Sequence, residues 1–311
     1  MLEAVGFSRW RRVRGRASIA DFFKPRRRCG IYVMCFSNGE FYAGQAVDVT
    51  RRYAQHRKTH SDIEQMAFKQ VPRGKLDEEE RSLIWRLERQ GWPLRNIALA
   101  SIPKGESDFD LVMPPEEQQR WLDDLGYVDN AGERLVDPEL RRRYRGRFQP
   151  FLEMPHAEEA LDVLRTYVKV GVPAIRGGEV AFWGCSCLPT NDVYSRVNIN
   201  WQEVFTVFTF GNDLRFSLHL ARSPLQQVFG TTLAPLLKRH PTLKHTDHRY
   251  APGGQDQTSF EIGGVQTAKK LITDEDVLPG IRLLNLRLMK KGPCPYGRYH
   301  CMDLADRLMD A

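Results

Sequence analysis

No stretch of this sequence approaches the roughly 20 continuous apolar residues that a membrane helix needs, so a membrane-spanning chain is not expected. Cysteine is scarce. Six in 311 residues are too few for a disulfide scaffold of this size, and they read as reduced thiols in a cytoplasmic protein, nucleoid-associated if bacterial. No long internal repeat is present, and the pairs Gly253-Gly254 and Gly263-Gly264 read as turns outside any phosphate-binding strand–loop–helix pattern. Net charge is also missing from most of the chain. Residues 1–28 hold nine arginines and lysines against Glu3 and Asp21, which accounts for the whole formal charge of +7.

What is present is ample core material. A hydrophobic share of 41% excludes a disordered chain, and the length suits two domains or one with a large extension. The local basicity of residues 1–27 reads as an arm for a polyanion, with Arg11, Arg12, Arg26, Arg27 and the adjoining Arg28 as DNA contacts. A solvated terminus and an organelle transit peptide are the rival readings. No apolar segment follows, which excludes a Sec or twin-arginine signal.

Residues 29–36 (CGIYVMCF) form an expected strand, Asn38-Gly39 an expected two-residue hairpin turn with both central residues at positive φ, and residues 41–44 the return strand. Asp48 is placed to cap a helix over VTRRYAQHRKTH, and a second helix fits residues 77–90 with Leu83, Ile84 and Leu87 on one face. Residues 103–155 read as a helical connector. Its end, ELRRRYRGRF, interleaves Arg141, Arg142 and Arg143 with aromatics, which suits nucleic acid and equally a solvated helix. Residues 156–311 read as a larger α+β domain, with strands in 179–187, 194–210 and 214–221 and helices at 157–168, 224–239 and 300–310. Cys185, Cys187, Cys294 and Cys301 lack zinc-knuckle spacing and read as buried thiols, while His240, His245 and His248 lie in a polar, basic loop.

The chemistry concentrates in residues 28–102. Arg52 and His56 lie four apart on one helix and so share a face. Gly30-Ile31-Tyr32 opens the first strand, Tyr42-Ala43-Gly44 closes the second, and Glu80 precedes Leu83-Ile84 on the next helix. In that order and spacing these residues resemble the GIY-YIG nuclease family, with Ala43 in place of the usual Ile or Val and Asn96 as the closing Asn. The resemblance covers roughly residues 28–100 and implies a small α/β catalytic module. It implies Tyr32, Tyr42, Arg52, His56 and Glu80 as catalytic residues, with Gly30, Gly44 and Asn96 structural and Tyr32 as acceptor of the attacking water's proton.

Hydrolysis of a phosphodiester needs charge relief on the non-bridging oxygens and help for the leaving oxygen. Arg52 can fork onto phosphate, Arg51 beside it can add a backbone contact, and Glu80 can hold one Mg²⁺ or Mn²⁺. A two-residue hairpin would, however, pair Tyr32 with Gln45 and put the two tyrosines on opposite faces, unless a bulge, a longer loop or a site at the rim reconciles them.

The expectation is a metal-dependent DNA endonuclease with a small catalytic module followed by a larger α+β domain. The second domain would direct substrate choice, by its own contacts or by recruiting a protein partner. The alternatives are a catalytically silent nucleic-acid-binding module and a nuclease licensed by a partner. No dimerisation signal stands out.

Overall fold

The computed structural model describes residues 7, 9–95, 107–128, 132–190, 192–246 and 248–309. The chain divides into two units, Met1–Gly105 and Glu106–Ala311, and the fold is mixed α+β with two antiparallel sheets, the class expected.

In the first unit the elements run β1 (Arg11–Arg12), β2 (Gly30–Phe36), β3 (Phe41–Ala46), α1 (Val49–Thr59), β4 (Ile63–Gln70) and α2 (Leu76–Arg89), with sheet order β1-β4-β2-β3. Alternation along β2 splits the core in two. Ile31 and Val33 face Leu83, Ile84 and Leu87 of α2, while Tyr32, Met34 and Phe36 share the opposite face with Val49 and Tyr53 of α1. Burying each such aliphatic side chain stabilises by about 1.5–3 kcal/mol. The Asp48 carboxylate caps α1 by accepting from the Thr50 and Arg51 amides at 2.9 and 3.4 Å. Because β3 is an edge strand, side chains of α1 and α2 can both reach its rim.

The hairpin differs from expectation. Ser37-Asn38-Gly39 form a three-residue loop, closed by Phe36 N to Glu40 O at 2.9 Å, and Gly39 alone of the three has positive φ, at 82°. A Gly at positive φ after two loop residues is the usual ending of a three-residue hairpin loop. The added residue shifts the register so that Tyr32 pairs with Gly44 and Met34 with Tyr42. Both tyrosines therefore lie on one face.

The basic segment is also not a free arm over its described residues. Arg11 and Arg12 pair with Met66 and Gln65 of β4, and Val13 and Ile19 are completely buried. The Tyr53 hydroxyl donates to the carbonyls of Val13 and Arg16 at 3.1 and 2.9 Å. Apolar residues interleaved with the arginines have a core to enter, and they take the backbone with them.

In the second unit α3 (Pro115–Asp123), α4 (Pro138–Leu152) and α5 (Ala157–Gly171) precede a meander of β5 (Trp183–Thr190), β6 (Val193–Ile199), β7 (Gln202–Phe210) and β8 (Asp213–Ala221). Then follow α6 (Arg222–Phe229), α7 (Ala234–Arg239), β9 (Leu243–Thr246), β10 (Gln257–Gly263), α8 (Val265–Ile272), α9 (Leu278–Met289) and α10 (Met302–Met309), with sheet order β5-β6-β7-β8-β10-β9.

One face carries Val197, Phe205, Leu218 and Phe260 in a transverse row within the main core. Phe109, Trp121 and Phe151 belong to that same core, so the described part of the expected connector is built into this unit. The single strand expected over 194–210 is two, broken by Asn200 at φ 53°.

Candidate active site

The Tyr32 phenol is the hub of the constellation. Its hydroxyl is 2.8 Å from His56 Nε2 and accepts from Arg52 Nε at 3.4 Å. The Tyr42 ring stacks on Tyr32 at 6.2 Å and meets the His56 ring edge-on at 4.8 Å. Arg52 and His56 reach these phenols because they lie one turn apart on α1, whose start Asp48 fixes. Gly44 makes room: a Cβ there would lie 2.6 Å from the Tyr32 hydroxyl oxygen. Gly30 is as constrained, with a Cβ 2.1 Å from the Lys69 carbonyl of β4.

Glu80 comes from α2, across the edge of β3. Gln45 joins it to the strand, donating from Nε2 to Glu80 Oε2 at 3.0 Å and to Asp77 Oδ1 at 2.6 Å. Sequence reasoning missed Gln45. Its alternation one residue beyond Gly44, onto the α2 face, is the signal that could have found it. Burial pushes the Glu80 carboxyl above its usual range, with Asp77 adding to the rise, while the Gln45 hydrogen bonds and the Arg52 charge oppose it.

The tyrosines are raised too, Tyr32 strongly, chiefly by desolvation. His56 is pushed down to about 4, first by burial and then by Arg52 and His60. In the tautomer with its hydrogen on Nδ1, neutral His56 accepts from the Tyr32 hydroxyl at Nε2, and Arg52 is the cation of the constellation.

Glu80 is the carboxylate of the constellation that could hold a divalent ion. Its carboxylate is half-buried and short of positive charge, the condition that a bound cation relieves. Among the described residues no group of three or more His, Cys, Asp or Glu side chains is gathered for a metal. A single carboxylate suits Mg²⁺, which keeps several of its waters.

The basic residues fall into distinct settings. Arg11 lies over the rings of Phe22 and Phe23 at 5.0 and 5.5 Å and lines a groove of about 370 Å³ with Arg27 and Lys24. Arg12, Arg26 and Arg51 are exposed, and Arg28 is 3.6 Å from Asp48. In the second unit Arg141 is bound to Asp303 and Asp306 at 2.8 and 2.6 Å, which makes it a tie between α4 and α10. Arg142 donates to the Pro138 carbonyl and Arg143 pairs with Glu139 at 3.2 Å. Asn96 lies outside the described residues.

Cys185, Cys187, Cys294 and Cys301 are buried. His300 bridges the Glu179 carboxylate, at 2.9 Å, and the Cys185 amide, at 3.0 Å. His240 lies 3.6 Å from Asp274, and His245 Nε2 lies 2.9 Å from the Thr258 hydroxyl. Against known proteins, no protein-family model, no curated protein and no solved structure matches the chain.

Proposed function

We propose that the chain is a metal-dependent endonuclease of the GIY-YIG type, hydrolysing phosphodiester bonds in DNA, with the second unit directing substrate choice. The observation that carries this reading is the convergence of Tyr32, Tyr42, Arg52 and His56 at the sheet edge that Glu80 reaches from the other face.

Arg52, exposed at its tip and anchored on Tyr32, offers its fork to the non-bridging oxygens. Tyr42 is the less buried of the two phenols, which makes it the one to meet the attacking water. Tyr32 is fully buried, with its hydroxyl 2.8 Å from His56 Nε2. Neutral His56, whose ring meets that of Tyr42 at 4.8 Å, would take the attacking water's proton directly, and positioned proton transfer of this kind contributes about 10²–10⁴-fold. Glu80 would hold one Mg²⁺ or Mn²⁺, which supplies Lewis-acid stabilisation of phosphate oxygens. Arg11, Lys24 and Arg27 add sequence-independent affinity that falls with salt.

The test is cleavage of supercoiled plasmid in Mg²⁺ or Mn²⁺ by the wild type and by Glu80→Gln, Tyr42→Phe and Tyr32→Phe. Nicking or linearisation is expected, lost at least about a hundredfold in Glu80→Gln. Glutamine keeps the neighbouring geometry, so its melting temperature should stay at or slightly above that of the wild type. Cleavage that survives Glu80→Gln unchanged would sink the catalytic assignment. The complete burial of Tyr32 favours one second reading, a module that binds nucleic acid without cutting it. That reading gives chelator-insensitive gel shifts and no cut ends.

A further inference from the structure

The second unit holds a cavity of about 430 Å³, within the roughly 300–1,000 Å³ range of ligand sites, on the face of its sheet opposite the main core. Register sets the floor. Ser186, Arg196 and Thr206 lie side by side across β5, β6 and β7, and the next row holds Gly184, Asn198 and Glu203. At the second row the β6–β7 pairing slips by one residue, a local irregularity that is common beside binding sites.

An ordinary solvent face would leave all these groups in water, yet Asn198 and Thr206 are buried and Ser186, Arg196 and Glu203 are partly buried. Asn198 is only 7% exposed and lines the cavity. The Ser186 hydroxyl and Arg196 Nε are buried without a hydrogen bond, and Arg196 Nε has an ion-pair contact with Glu203 Oε1 at 3.3 Å. Two such groups beside a buried amide at one cavity are uncommon in a folded interior, and a polar ligand would satisfy them.

The walls are aromatic. Tyr144 comes from α4, and Tyr296 and Tyr299 from the turn Pro295–Tyr299. Outside the lining, Trp201 is 61% exposed with its ring 6.1 Å from that of Tyr296. The turn is pinned: a Cβ on Gly297 would be 2.2 Å from the Val180 carbonyl, and the Cys294 and Cys301 amides donate to the Ala181 and Cys185 carbonyls at 2.7 Å each. Arg147 stands at the mouth, its guanidinium 6.0 Å from the Tyr144 ring.

We propose that this cavity takes a nucleobase together with its phosphate, the base stacking against the tyrosines and meeting Asn198 and Arg196 along its edge while Arg147 holds the phosphate. Flat aromatic walls with a few convergent polar groups are what an unstacked base requires. A methylated ammonium, the other usual guest of an aromatic cage, is disfavoured by two arginines against the single Glu203. An uncharged sugar would leave Arg147 unused. That the base belongs to a DNA strand rests on the nuclease reading above; a free nucleotide has the same chemistry.

The test uses the full-length Glu80→Gln chain in EDTA, so that binding is read without turnover. A labelled single-stranded oligodeoxynucleotide and its abasic counterpart are titrated by anisotropy, with deoxynucleoside monophosphates as competitors. The intact strand is expected to bind about tenfold more tightly than the abasic one, and Asn198→Ala and Tyr299→Ala should each erase most of that difference. Tyr299 is largely exposed, so its variant folds even where Asn198→Ala does not.

Competition by monophosphates identifies a site for free nucleotides as well, and its absence confines the site to bases within a strand. Equal binding of intact and abasic strands, or variants that bind like the parent, overturns the proposal. Wild-type plasmid cleavage in Mg²⁺, measured separately, reports on the nuclease reading alone.

Discussion

At the scale of single residues, the candidate active site depends on what is missing at position 44. The Tyr32 phenol crosses the backbone of Gly44, its partner on β3, and any side chain there meets the hydroxyl that binds Arg52 and His56. Gly44→Ala therefore has to displace a buried ring that is also stacked on Tyr42. The expected cost is about 1–3 kcal/mol of stability, typical of overpacking, with loss of most cleavage activity. Gly39→Ala is the control. Its glycine has positive φ and open space around it, so it costs about 1–2 kcal/mol and leaves the site intact. Thermal melts beside plasmid assays read both; equal activity in the two variants would mean that the Tyr32 position does not matter.

At the scale of elements, the sequence carried the parts whose pattern is local. The β-rich run GIYVMCF, the Asp48 cap and the Leu83-Ile84-Leu87 stripe mark β2, α1 and α2 closely. The hairpin loop was ambiguous, since Asn-Gly serves both the two-residue turn and the three-residue turn with glycine at its end. One residue of register then decided whether Tyr32 and Tyr42 meet. The strand β4 was illegible because Glu64, Gln65 and Lys69 interrupt its apolar residues, although it lies inside the sheet. Helix α9 was missed for the opposite reason: it is buried nearly all round, so no polar face marks its period.

What orders the chain before α4 is a residue of α9 that no local pattern flags. Arg282 is completely buried and donates to the carbonyls of Val170, Trp121, Asp124, Leu125 and Tyr127, and desolvation lowers its pKa to about 10. Arg282→Met fills the space but strands these acceptors, so a loss of about 3–5 kcal/mol in denaturant unfolding is expected. A loss below about 1 kcal/mol would show that those carbonyls find other donors.

At the scale of the whole molecule, each unit carries a histidine that burial holds below its usual pKa, and both contribute to how stability depends on pH. His56 in the first unit and His219 in the second are both pushed down to about 4, chiefly by burial. Arg52 and His60 add to the shift of the first and His248 to that of the second, where Tyr250 also packs against the ring.

An unfolded histidine titrates near 6.5, so between about 6.5 and 4 the unfolded chain binds protons that the folded chain refuses. The stabilisation is full above about 6.5 and drains away as pH falls toward 4. At pH 5 the loss from His219, the more buried of the two, is at most about 2 kcal/mol, and that from the half-exposed His56 is smaller. The carboxylates held low by hydrogen bonds and cations, among them Glu179, Asp62 and Asp306, give up their share only below about 4.

Acid unfolding should therefore begin with the histidines. Calorimetric melts of the wild type and His219→Gln at pH 7 and pH 5 test this order. The drop in melting temperature between the two pH values should shrink in the variant, because glutamine has no proton to take up. An unchanged drop would place the acid sensitivity in the carboxylates and remove His219 from the account.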